Sequence, residues 1–217
     1  PLKYPASHLN VAVINRDIAL EGEENSEAFR ALGCSVSPCN PERDPFPAAA
    51  DILYLPHVIA DVAAARILEN ADFRQGLLKS VQGNKLILAS GASAVLFGQH
   101  YRTASQNNLE GLGLFSFRAH HARKDGELGV RRVEMRGTKD TYFTKTNEKL
   151  RGYEIGGFAL ANPGNLGQSC LAYRSMNAEA ETGVSGWSHS YCFVTGLRLD
   201  LWSAMDVLYR WISLRKR

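Results

Sequence analysis

The sequence predicts an α/β protein: a three-layer sandwich with a mostly parallel central sheet and an antiparallel extension. Three observations carry this. Short apolar, β-branched runs alternate with helix-period segments through residues 9–98. The second half instead holds short strand-like runs separated by Gly, Asn and Asp. The chain closes on an amphipathic stretch that needs a sheet to cover.

Residues 1–9 form a polar, proline-containing lead-in, and residues 10–217 are expected to form one domain. Residues 9–14 (LNVAVI) read as a buried strand. Residues 24–32 (ENSEAFRAL) place Ala28, Phe29, Ala31 and Leu32 on helical spacing, and Gly33 stops the helix. Residues 34–37 predict a second strand, and the prolines of PCNPERDPFP predict a loop. Residues 51–55 (DILYL) are the third strand, residues 61–70 and 73–81 two helices, Gly83-Asn84 a turn, and residues 85–89 (KLILA) the fourth strand. The tight turn SGAS then leads into a short helix ending near Gly98.

Five later runs read as strands: LGLFSFR, VRRVEMR, RGYEI, SCLAYR and YCFVT. Residues 199–214 predict a closing helix with Leu201, Met205, Leu208 and Ile212 on one face. Arg215, Lys216 and Arg217 suit its C-terminal dipole.

Of 217 residues, 45% are hydrophobic and 22% charged, a globular balance that excludes disorder and collagen-like structure. The net charge of +3 gives no reason to expect nucleic acid as a partner. No apolar run approaches the roughly 18 residues of a membrane span. The opening PLKYPASHLN lacks the apolar core of a signal peptide, so a cytoplasmic protein is expected. Cys34, Cys39, Cys170 and Cys192 form no zinc-binding pattern and read as structural thiols. His120-His121 lacks a third ligand at fixed spacing, so no metal is expected.

In open α/β sheets, chemistry sits at the carboxyl ends of strands, where a sharp strand-to-helix turn projects a nucleophile. KLILASGASAVLFG has that layout. It resembles the nucleophile elbow of class I glutamine amidotransferases, and most of all the amidotransferase domain of the cobyrinic acid a,c-diamide synthase and cobyric acid synthase family, which reads like ILAECGGLMYLG. Other segments agree in order. The stretch EENSEAFRALGCSVSPCNPERDPFPAAADILYLP, EGLGLF, RGYEIGGF and GWSHSYCFVTGLRLDLWSA each resemble a family segment, so the likeness covers nearly all of the chain after residue 9. It implies a flavodoxin-like fold, cobalamin-type chemistry, and a nucleotide-binding (ATPase) or amidotransferase partner. No GxxxxGK[ST] phosphate loop is present, so no nucleotide cofactor is expected on this chain.

The resemblance implies a cysteine nucleophile, a histidine base and backbone N–H groups that hold an oxyanion. Carried over by position, the nucleophile falls on Gly91, the base on Arg198, the second histidine of the same motif on Asp200, and the histidine of GYEIH on Gly156, although Gly152, Tyr153, Glu154 and Ile155 fit. The glycine-rich oxyanion loop reads YLPHVIAD, where Pro56 has no N–H to donate. Glycine is no nucleophile, and arginine stays protonated. These losses predict a degenerate, non-catalytic domain. A second reading stays open, in which the register slips by one and Ser90 is a substitute nucleophile. Residues left for ligand contact are His57, Ser93, Glu154 and Gly156, with a tetrapyrrole-like or glutamine-like ligand implied. Cys192 is expected in the core, and His189 in an exposed loop.

Overall fold

The computed structural model describes residues 4–21, 23–122, 130–161 and 169–216. Residues 1–3 of the expected lead-in and Arg217 of the basic tail lie outside the described residues. The first half holds β1 (Asn10–Ile14), α1 (Glu24–Ala31), β2 (Ser35–Cys39), β3 (Ile52–Leu55), α2 (Ala60–Leu68), α3 (Ala71–Gln82) and β4 (Leu86–Ser90). The second half holds β5 (His100–Arg102), β6 (Asn108–Glu110), β7 (Arg118–Ala122), β8 (Arg131–Gly137), β9 (Lys149–Glu154), β10 (Gly157–Ala161), β11 (Ser169–Ser175), β12 (Gly183–His189), β13 (Cys192–Thr195), β14 (Arg198–Leu199) and α4 (Met205–Ile212).

Ten strands join in the order β14-β9-β8-β11-β12-β13-β4-β3-β1-β2, and β10-β7-β5-β6 make a smaller sheet. The ladders from β13 through β4, β3 and β1 to β2 are parallel, and the rest of the large sheet is antiparallel. This is the expected α/β class, with an antiparallel part as wide as the parallel one. Strands β3 and β4 are buried along their whole length because helices or the small sheet cover both faces. One face packs Ala64 and Ile67 of α2, Phe73 and Leu77 of α3, Tyr101 and Phe117. The other packs Phe29 of α1 and Leu208 and Trp211 of α4 against Tyr54, Phe143 and Phe193. Three layers result. All four cysteines are buried thiols, and among the described residues no helix is long and apolar enough to cross a membrane.

Several elements differ from expectation for physical reasons. Strand β2 runs through Pro38, at the edge of the sheet, where a missing N–H breaks no outer ladder. The run LGLFSFR is not a strand until Arg118. Its N–H groups instead satisfy the preceding turn, with Leu112 donating to Leu96 O at 2.8 Å and Phe115 to Phe97 O at 3.1 Å. The short helix after β4 is a 3₁₀ helix, Gly91–Phe97, every residue of which is buried. The closing helix is broken into β14, a 3₁₀ turn at Trp202–Ala204, α4, and a last 3₁₀ turn at Ser213–Lys216. Asp200 Oδ1 takes the Ser203 N–H, and Asn25 Oδ1 takes the Leu201 N–H, so helix begins late. Strands β5, β6, β10 and β12 had no separate sequence signal. The lead-in is docked, since Ser7 donates to Leu32 O and Tyr4 Oη to Asp206 Oδ1 at 2.6 Å.

Asn70 starts a helix rather than ending one. Its Oδ1 accepts from the N–H groups of Asp72 (3.1 Å) and Phe73 (3.3 Å), and its Nδ2 donates to Pro41 O (3.0 Å). Replacing it by alanine should cost about 1–2 kcal/mol. Urea unfolding of Asn70→Ala should show a lower midpoint at unchanged slope, and an unchanged midpoint contradicts the assignment.

Candidate functional site

Strand β4 delivers Ser90 in extended geometry, and the chain then turns at Gly91 with φ +65°, in the left-handed region. The turn is held from β14's side. Gly91 N–H donates to Leu197 O at 3.1 Å, Ser90 Oγ accepts from Leu199 N–H at 3.0 Å, and Ser90 Oγ donates to Leu197 O at 3.4 Å. A strand, a turn and a helix start are therefore present as the sequence implied, with a glycine at the position to which the resemblance carries the nucleophile.

The loop after β3 brings His57 into that position. A Cβ built on Gly91 would lie 2.5 Å from His57 Nδ1 and 2.8 Å from its Cβ. His57 Nδ1 accepts the Ala92 N–H at 3.1 Å. The N–H after a nucleophile is the group that an oxyanion uses at such an elbow, and here the imidazole has taken it. Because Nδ1 accepts, the ring proton belongs on Nε2. The loop itself is clamped: Leu20 N–H donates to His57 O at 2.9 Å, His57 N–H donates to Glu21 Oε2 at 3.1 Å, and Val58 bridges Ala19. Ser93 Oγ donates to Pro56 O at 2.6 Å.

Behind the imidazole lies a buried polar cluster. Glu21 Oε1 accepts from Tyr54 Oη and from Asn25 Nδ2 at 3.1 Å, and Asn25 Nδ2 also donates to Leu199 O at 2.9 Å. Arg198 Nη2 donates to Glu21 O at 3.3 Å, its Nε stands 4.0 Å from Glu21 Oε2, and its guanidinium covers the Tyr153 ring with Cζ 5.0 Å from the centroid. Burial raises the Glu21 carboxyl pKa, partly offset by Tyr54, the His57 N–H, Asn25 and Arg198. Burial and then the Glu21 charge hold Tyr54 protonated. Burial first, and Arg198 second, pull His57 down to about 4, so its ring is neutral at neutral pH.

Sequence-derived site positions thus fall into two groups. Gly91, Ser90, His57, Ser93 and Arg198 meet at the turn, and the first four are buried. Glu154 and Gly156 instead line a groove of about 500 Å³ with Phe158, Leu160, Trp187 and Leu197; Tyr173, which also lines it, donates from Oη to Glu154 Oε1 at 3.3 Å. Leu197 links the groups, since its carbonyl holds Gly91. Asp200 is half-buried and spends Oδ1 on Ser203. His189 is exposed and Cys192 is in the core. His120 is exposed, and His121 Nδ1 lies 3.7 Å from Asp61 Oδ1. Sequence reasoning missed Glu21 and Asn25. A lone acid in a polar stretch and an Asn at a helix start carry no spacing signal.

No protein-family model and no curated protein matches the chain. Solved structures do. PurLQS of Thermotoga maritima aligns at TM-score 0.65 and 14% identity, over 96% of this chain and 97% of that one. A Thermoplasma acidophilum protein proposed to be a GMP synthase subunit matches at TM-score 0.57 and 15% identity, over 96% and 94%. A glutamine amidotransferase from Thermotoga maritima aligns at TM-score 0.55 and 13% identity, over 96% and 83%. The fold is therefore that of class I glutamine amidotransferases.

Two outcomes follow from the geometry. Gly91→Ala should destabilise by about 2–5 kcal/mol, through the left-handed turn and the collision with His57. In the His57→Gly background the collision is absent, so a double-mutant cycle should give a coupling of about 1–2 kcal/mol, and zero coupling contradicts the contact. The second concerns pH. Between the ordinary imidazole value of 6.5 and about 4, the unfolded chain binds a proton that folded His57 refuses. Stability from this group is complete above pH 6.5 and falls as pH drops through that window, by about 3 kcal/mol in all. Glu21, shifted upward, works oppositely as pH rises above its ordinary 4.5, so the difference from His57→Gln is the readout. Urea midpoints should rise less steeply from pH 4 to 6.5 in His57→Gln, and parallel curves contradict the buried neutral ring.

Proposed function

We propose that this chain is a degenerate relative of the cobyrinic acid a,c-diamide synthase type, serving as a non-catalytic glutamine amidotransferase-like subunit. One observation carries the reading: the His57 imidazole occupies the space where a nucleophile side chain would stand and accepts the Ala92 N–H that would hold an oxyanion. Gly91 offers no nucleophile. Arg198, at the base position, is a permanent cation directed at Glu21 and Tyr153. Removing one member of a catalytic triad already costs several orders of magnitude, and here nucleophile, base and hole are altered together.

The finer affiliation rests on the ordered sequence likeness after residue 9. In this reading residues 10–217 are the domain, residues 1–9 a lead-in, and the protein works in the cytoplasm. The groove beside Leu197, with Glu154 and Gly156 in its wall, takes a small ligand of the tetrapyrrole-like or glutamine-like kind. His57 and Ser93, though suited by chemistry to meet a ligand, are engaged inside the protein, so the groove is the better ligand site. A nucleotide-binding or amidotransferase protein is the partner class. One structural neighbour being described as part of a multi-chain enzyme supports that class.

The enzymatic alternative needs Ser90 as nucleophile. Ser90 is fully buried, and its hydroxyl is used both as acceptor and as donor. Among the described residues, its hydroxyl is bonded to the backbone of Leu197 and Leu199 and to no base.

Purified protein should release ammonia from glutamine no faster than its His57→Gln variant or a buffer blank. An electrophilic glutamine analogue should leave no adduct on Ser90 or Ser93 in peptide mass spectrometry. Turnover above blank, or a mapped adduct on either serine, overturns the proposal.

A further inference from the structure

The register of the antiparallel strands brings cations together on one side of the large sheet. Arg132 on β8 stands opposite Tyr153 on β9, which stands opposite Arg198 on β14. One step along, Glu134 lies between Arg151 on β9 and Arg174 on β11. The next step puts Arg136 between Lys149 and Ala172, and Val184 of β12 continues the row. The alternate residues Val133, Met135 and Leu150 are buried, so this side faces solvent. Arg132, Arg136, Lys149, Arg151 and Arg174 are exposed, and Arg198 is partly so.

The charges are only partly answered. Arg174 pairs with Glu134 at 2.8 Å, and Arg136 pairs with Glu181 at 2.7 Å. Glu179 and Asp200 stand at the margins. Among the described residues, Arg132, Lys149 and Arg151 form no ion pair. Two guanidinium groups flank the Tyr153 ring, with Cζ of Arg132 at 6.0 Å and of Arg198 at 5.0 Å from its centroid. Met176, 48% exposed, lies beside Arg132 and Tyr153, and Val184, 52% exposed, stands opposite Ala172 in the row of Arg136 and Lys149.

We infer that this face docks an acidic surface of a partner protein. Arg, Tyr and Met are the residues enriched at protein interfaces, and Lys, the depleted cation, occurs once in the face. Guanidinium forks meet carboxylates bidentately, and five of them plus Lys149 are arrayed in register on a surface of fixed strand spacing, two of the five flanking Tyr153. Nucleic acid fits less well. Met176 and Val184 are exposed apolar side chains that a sugar–phosphate backbone would leave wet. Charge complementarity selects an anionic surface, and the exposed apolar side chains among the cations select one presented by protein. The inference shares with the proposed function only the premise that the chain has a partner. It does not depend on the state of the turn at Gly91.

Fluorescence anisotropy with a fluorescein-labelled polyglutamate peptide tests the face in the intact chain. Binding should be saturable and should weaken steadily with added salt. Arg132→Glu/Arg151→Glu should weaken it by about tenfold or more, and Arg132→Gln/Arg151→Gln by less. Arg43→Glu/Arg118→Glu, the same charge change at exposed positions elsewhere, should leave it within about twofold. Circular dichroism confirms that each variant is folded. Absence of polyglutamate binding, indifference to the face variants, or equal loss in the control pair overturns the inference. Tighter binding of oligothymidylate through the same residues also overturns it, in favour of nucleic acid. A chain that hydrolysed glutamine yet bound polyglutamate here would sink the proposed function and leave this surface standing.

Discussion

The packing of the His57 ring against a residue without a side chain is the constraint from which the rest of the site follows. A left-handed turn at Gly91 lets β4 reverse into a buried 3₁₀ helix, and the hydrogen atom there leaves room for one imidazole. Holding that ring in place fixes the loop after β3. That loop fixes Glu21 through a backbone bond, and Glu21 in turn gathers Tyr54, Asn25 and Arg198. Asn25 then ties α1 to both Leu199 and Leu201, which sets where the C-terminal helix begins. Packing at one glycine is thereby coupled to the layer on the opposite face of the sheet.

In the proposed reading, this cluster keeps a reactive layout inert while the fold is retained. A buried acid, phenol and imidazole could be poised for proton transfer. Here the burial that shifts them leaves each in its uncharged or fully bonded form: the tyrosine protonated, the imidazole neutral, the carboxylate surrounded by donors. The nearby cation is an arginine, which gives up no proton at neutral pH. The hydrogen bonds among these groups offset the cost of burying them.

Much of the fold was legible in the sequence. Runs such as DILYL and KLILA read as strands because both faces of a parallel sheet are covered, which leaves no polar alternation to blur them. Short strands of three residues, such as β5 and β6, are set by pairing partners far along the chain and leave no local pattern. LGLFSFR misled because apolar content serves a buried coil as well as a strand, and the closing helix misled because one face of Leu201, Met205, Leu208 and Ile212 continues across a break. At the site, the resemblance pointed to Gly91 and Arg198 and to His57 in the altered loop, which the structure brings together. The resemblance could not reveal that the ring fills the hollow, nor that Glu21 stands behind it, since the Glu21–Tyr54 contact joins residues 33 apart.

An NMR titration of the isotope-labelled protein with L-glutamine interrogates the closed turn most directly, because the Ala92 amide reports on whatever accepts its proton. With the imidazole Nδ1 accepting from that amide, the Ala92 and Gly91 cross-peaks hold their positions up to saturating glutamine. A saturable shift of the Ala92 amide, accompanied by movement of the His57 ring signals, would mean that substrate displaces the ring and that the turn remains a working oxyanion site.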